Sequence, residues 1–154
     1  MISLETIPEK LGTTEPWVDK GGVHWLTQDA TKVRELAKAM NEIHARFITI
    51  TAYQLPKDEG FRLEYHWDLD GRLLGFSMQL AGKSIESIFD LTEAADWIER
   101  EIHEEYGIDF TGREYEPLLL RQGETPGVNL RDAVAASNAV AASNAVAASS
   151  KEKI

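Results

Sequence analysis

Apolar and polar side chains alternate strictly along one stretch of the chain. Phe61, Leu63, Tyr65, Trp67 and Leu69 are separated by Arg62, Glu64, His66 and Asp68. A period of two describes a strand with one buried face. Asp70-Gly71 follows at once, and this pair suits a type I′ hairpin turn, whose two central residues both need positive φ. The turn sets the register: Leu69 faces Arg72, Trp67 Leu74, Tyr65 Phe76, Leu63 Met78, and Phe61 Leu80. The opposite face pairs Glu64 with Ser77 and Arg62 with Gln79. A slip of one residue would turn Phe76 and Met78 away from the apolar face.

Two helical segments and a further strand flank this hairpin. Val33, Leu36, Ala37 and Met40 recur at helical spacing after Asp29, an N-cap candidate. Residues 46–53 (RFITITAY) are rich in branched and aromatic side chains and read as a strand, closed by the loop from Pro56 to Gly60. Residues 92–106 read as the second helix. Thr92 is its expected N-cap, Leu91, Ala95, Ile98, Ile102 and Tyr106 its buried stripe, and Gly107 its terminator. The order helix, three strands, helix predicts an α+β fold, with helices on one face of a small antiparallel sheet. This folded unit occupies residues 1–130. Residues 131–154 form an Ala-rich tail in which AVAASN, AVAASN and AVAASS follow one another. The tail is expected to be a mobile extension, the alternative being a helix held against a partner.

Composition narrows the chemistry. The 154 residues include no cysteine, which excludes disulfides, thiolate zinc sites, a cysteine nucleophile and cysteine-held iron–sulfur clusters in this polypeptide. A formal charge of −10 without a basic cluster argues against nucleic acid and anionic lipid as direct partners. No apolar run approaches the roughly 18–20 residues of a membrane span, and MISLETIPEK has no signal-peptide character. A soluble, cytoplasmic protein is the resulting expectation.

No nucleotide-binding glycine motif and no nucleophile elbow is present. His24, His44, His66 and His103 never stand four residues apart, so no helical zinc pair arises, although a site assembled across the fold stays open. His66 is expected at a solvated strand position. Asp68, Asp70 and Gly71 suit the hairpin turn better than a calcium loop. The second helix carries Glu93, Asp96, Glu99, Glu101, Glu104 and Glu105 against the lone Arg100. Three uses are open to it: a solvated face, paired carboxylates for acid–base catalysis, or a docking face assisted by Trp97. A stand-alone α+β enzyme and a generic interaction module are therefore rival readings.

At this helix the sequence resembles a known family. Glu99-Arg100-Glu101, the acid Glu104, then Tyr106-Gly107-Ile108, Phe110 and Gly112 are similar to the signature of the 30 kDa subunit of respiratory complex I. The same domain occurs in membrane-bound energy-converting [NiFe] hydrogenases. The resemblance spans about residues 30–122, and the short Glu116-Pro-Leu-Leu-Leu120 segment is more like the hydrogenase branch, Ech-type or CO-linked. It implies an accessory subunit, catalytic in no residue, that joins large catalytic and small iron–sulfur subunits in a peripheral arm at the cytoplasmic face of the membrane. It also implies no cofactor or metal in this subunit, the [NiFe] centre and iron–sulfur clusters belonging to partner subunits. Glu99, Arg100, Glu101, Glu104, Tyr106, Gly107 and Phe110 would lie at subunit contacts. The alternative within the family is the 30 kDa subunit of an NADH:quinone oxidoreductase.

Overall fold

The computed structural model describes residues 4–56 and 59–132. The tail expected from the hexad repeat, from residue 133 onward, lies outside them. Among the described residues, seven strands and three helices follow in the order α1 (Ile7–Lys10), β1 (Val18–Lys20), β2 (Val23–Thr27), α2 (Val33–Glu42), β3 (Arg46–Gln54), β4 (Phe61–Leu69), β5 (Arg72–Leu80), β6 (Ser84–Glu86), α3 (Asp96–Tyr106) and β7 (Asp109–Thr111). The expected α+β architecture is what forms.

The hairpin β4–β5 has the register derived from its turn, from Leu69 opposite Arg72 to Phe61 opposite Leu80. Asp70 and Gly71 have φ of 52° and 81°, and the Gly71 N–H donates to Asp68 Oδ1 at 2.9 Å. The expected helix stripe is equally regular. Val33, Leu36, Ala37 and Met40 are all fully buried, and Asp29 caps the preceding 3₁₀ turn by accepting from Thr31 N–H.

The sheet is larger than expected and not wholly antiparallel. Its order is β1-β2-β5-β4-β3, and β2 joins β5 in parallel. Gly21 and Gly22, both with positive φ, make the two-residue turn between β1 and β2. This leaves β5 central, with a neighbour on each side. Beside this sheet, β6 and β7 form a second, parallel pair with α3 as their crossover.

One apolar cluster unites α2, α3 and the inner face of the sheet, including Tyr65, Trp67, Phe76, Ile88, Ile102 and Phe110. Trp67 lies stacked against Tyr65 and edge-on to Phe47 and Phe76. The outer face is partly covered too. The Trp25 ring lies edge-on to His66 at 5.3 Å, so His66 is half-buried, not solvated as the alternation suggested. Burial lowers its pKa from the ordinary imidazole value. Gly75 makes room for the same indole: a Cβ there would meet Trp25 Cε3 at 2.6 Å. Gly75→Ala is therefore expected to cost about 1–3 kcal/mol through overpacking. A lowered urea midpoint would show it.

Candidate functional site

Helix α3 begins after a 3₁₀ turn, Glu93–Ala95. Thr92 adopts the extended geometry of a cap, but its side chain makes no capping bond. Its carbonyl alone serves, accepting from Ala95 N–H at 2.9 Å. The helix ends as expected at Gly107, in the left-handed region at φ 66°.

A solvated acidic face, one of the three uses open to this helix, fails at two of its acids: Glu99 is 0% exposed and Glu104 6%. Both are fully occupied within the fold. Glu99 accepts from Ser87 Oγ at 2.6 Å, from Ile88 N–H at 2.8 Å and from Arg113 Nη1 at 2.9 Å. Arg113 reaches on to the Asp96 carboxylate, which Arg100 also binds. The result is a four-membered relay of alternating charge, Glu99–Arg113–Asp96–Arg100, laid along the helix.

The Arg113 side chain is buried, and desolvation by itself would lower its pKa. Hydrogen bonds and charge from Glu99 and Asp96 outweigh this and raise it. Asp96 shows the converse: burial works to raise its pKa, but its two arginines bring it below the ordinary carboxylate value. The Arg113 guanidinium also lies over the Phe89 ring at 4.9 Å and the Tyr115 ring at 5.3 Å, favourable cation–π geometry. On the far side of Ser87, Arg34 of α2 donates to the Ser87 carbonyl and pairs bidentately with Asp90. Residues 87–90 are thus held by both helices.

The second acid holds the segment that leaves β7. Glu104 accepts three backbone N–H groups, from Leu118 at 2.6 Å, Leu119 at 2.7 Å and Leu120 at 3.0 Å. Arg100 donates to the carbonyls of Glu116 and Pro117, and the carbonyls of Glu104 and Glu105 take N–H groups from Gly127 and Asn129. A segment with almost no regular structure therefore lies as an ordered arm against α3. Beneath it, His103 stacks on Tyr115 at 3.8 Å, and burial pushes the Tyr115 hydroxyl up to about 12.

The signature residues thus separate into three groups. Glu99, Arg100 and Glu104 meet around the arm. Tyr106, Gly107 and Phe110 turn toward the core: Tyr106 is edge-on to Phe61, and Phe110 is fully buried in β7. Glu101 is half-buried and has no ion-pair partner among the described residues. Sequence reasoning missed Ser87, Arg113 and Tyr115, which complete the buried network. An arginine directly after Gly112, where β7 has ended, was the available signal. Among the described residues no three of His, Cys, Asp and Glu stand close enough to share a metal ion, and no helix is long and apolar enough to cross a membrane.

Comparisons with known proteins bear directly on this helix and arm. No curated protein sequence matches significantly. Among solved structures, the protein is similar to one polypeptide in the membrane-bound sulfane sulfur reductase (MBS), an archaeal respiratory membrane complex. The identity is 25% and the TM-score 0.69, over 79% of this chain and 76% of that one. A trypsin-resistant fragment of Nqo5 shares the fold at 22% identity and a TM-score of 0.60, over 73% of this chain and 98% of the fragment. Residues 26–139 match the family described as respiratory-chain NADH dehydrogenase, 30 Kd subunit. That match takes in the hairpin, α3 and the whole arm, and the protein belongs to this family of respiratory-complex subunits.

Proposed function

We propose that this protein is an accessory subunit of a membrane-bound energy-converting [NiFe] hydrogenase, joining the large catalytic and small iron–sulfur subunits in the peripheral arm of the complex. The family match over residues 26–139 carries the reading, and likeness to a polypeptide of an archaeal respiratory membrane complex supports it. The short arm segment from Glu116 to Leu120, folded back on α3, is consistent with the hydrogenase branch. With no cysteine it holds no thiolate-bound cluster. Its part is then to hold shape between neighbours that carry the [NiFe] centre and the iron–sulfur clusters.

A second reading within the family is the corresponding subunit of an NADH:quinone oxidoreductase, favoured by the family description and by the Nqo5 fold. Isolation through a tag on this subunit, from gently solubilised membranes, separates the two. The hydrogenase reading expects nickel and hydrogenase-type large and small subunits in stoichiometric amounts. NADH-oxidising subunits instead would establish the second reading. A monomer with its own turnover would overturn both.

A further inference from the structure

Most of α3 is committed inward, yet Trp97 is 70% exposed. No ring contact to it is made among the described residues. Its neighbours in sequence hold the helix firmly: Asp96 is bound by Arg100 and Arg113, and Ile98 and Glu99 lie against or within the core. The indole is therefore presented on a rigid support, and covering it orders little that is not already ordered. An aromatic anchor of this kind, held before the partner arrives, is the usual centre of a protein–protein contact.

The charge around it indicates what covers it. Glu93, in the 3₁₀ turn before α3, and Glu101, one helical turn beyond Trp97, lie four residues to either side of it. Beside them a groove of about 400 Å³ runs between α3 and the arm, lined by Phe89, Glu93, Asp96, Arg100, Arg113, Glu114 and Glu116. Arg100 and Arg113 are matched within the fold by Asp96 and Glu99. Glu93, Glu101, Glu114 and Glu116 have no ion-pair partner among the described residues, so the uncompensated charge flanking Trp97 in sequence and lining the groove is negative. Complementarity excludes an acidic or phosphate-bearing surface and selects a cationic one.

We propose that Trp97 anchors a subunit interface, entering an apolar notch bordered by lysine or arginine on a neighbouring protein of the same assembly. Glu93 and Glu101 meet those cations along the helix, and Glu114 and Glu116 do so from the arm. The proposal rests on the assignment to a multisubunit complex and specifies which face of the subunit is used. It moves the contact from the buried members of the signature to the outward side of the same helix.

The test uses the full-length protein, tagged and expressed in place of the native copy, with the photo-crosslinker p-benzoylphenylalanine at position 97. Membranes are irradiated, the assembly is purified, and the crosslinked peptide is mapped by mass spectrometry. The expected product joins position 97 to a Lys/Arg-containing segment of a co-purified subunit. Trp97→Ala is expected to leave the urea midpoint of the isolated protein unchanged and to reduce its retention in the assembly at least tenfold. Glu93→Gln with Glu101→Gln is expected to weaken retention and flatten its dependence on salt. An intact assembly with no crosslink from position 97 overturns the proposal and leaves the family function standing, as does a crosslink to an acidic segment or to a second copy of this protein. A subunit that purifies alone overturns both.

Discussion

Arg113→Met is expected to destabilise the isolated protein by about 3–5 kcal/mol, the usual consequence of removing one partner from a buried ion pair. Methionine keeps much of the volume, so the loss reports charge and hydrogen bonding more than a cavity. Glu99 is 0% exposed, and after the substitution its only remaining partners would be Ser87 Oγ and Ile88 N–H. Asp96 would keep only Arg100. Urea unfolding followed by circular dichroism measures the change. Adding Glu99→Gln removes the stranded charge, so the double variant is expected to lose less than the sum of the two singles. A cost below about 1 kcal/mol for Arg113→Met, in the range of exposed pairs, would show that the pair is solvated and that the network does not fix α3.

Glu104→Ala has a different expected signature, because its contacts hold the arm and not the core. Hydrogen bonds to a charged group contribute about 1.5–3 kcal/mol each at most, and the freed N–H groups reach water once the arm lifts. A loss of about 2–3 kcal/mol in arm attachment is expected, with a smaller change in global unfolding. Hydrogen exchange at Leu118, Leu119 and Leu120 reads it directly, since Glu104 accepts from all three amides. Acid is expected to have the same effect. Burial works to raise the pKa of Glu104, but the three N–H groups and Arg100 together bring it below its ordinary value of 4.5. A depressed carboxylate pKa contributes stability that is present above the unfolded-state value and is lost as pH falls through the folded-state value. The arm is therefore expected to loosen as pH falls below 4.5, and Glu104→Gln is expected to remove that pH dependence. Unchanged exchange at these amides in either experiment would mean that the arm is held by other contacts.

The network around Glu99 and Arg113 and the proposed contact at Trp97 are two sides of one helix. The buried charges keep α3, the crossover that joins the paired strands β6 and β7, in place, and the arm covers one flank of it. This accounts for the position of Glu-Arg-Glu within the family resemblance without requiring every member to touch another subunit. Glu99 and Arg100 hold the domain together, and Glu101 has no ion-pair partner among the described residues.

Local pattern carried a great deal here. The β4–β5 hairpin was legible because one face alternates and Asp70-Gly71 has the conformation only a few residue pairs adopt, so register followed from two residues. Gly21-Gly22 held the same kind of signal for β1–β2, in strands too short for alternation to stand out. The buried stripes of α2 and α3 followed from helical spacing. Residues near each other in sequence also placed the family resemblance correctly.

What local pattern cannot express is pairing between distant segments. The parallel contact of β2 with β5 joins residues far apart along the polypeptide, and no spacing rule ties Trp25 to Gly75. The same limit left the acids from Glu93 to Glu105 undecided. A solvated face, a catalytic pair and a docking face all stayed open, because whether a charge can be buried depends on its partner. Their partners, Ser87, Ile88, Arg113 and the amides of residues 118–120, arrive from outside the helix and only after folding. The order of residues was therefore enough for two helices, three strands, the hairpin register and the family. Which charges become interior was settled in three dimensions, because desolvation and its compensation depend on neighbours that only folding brings together.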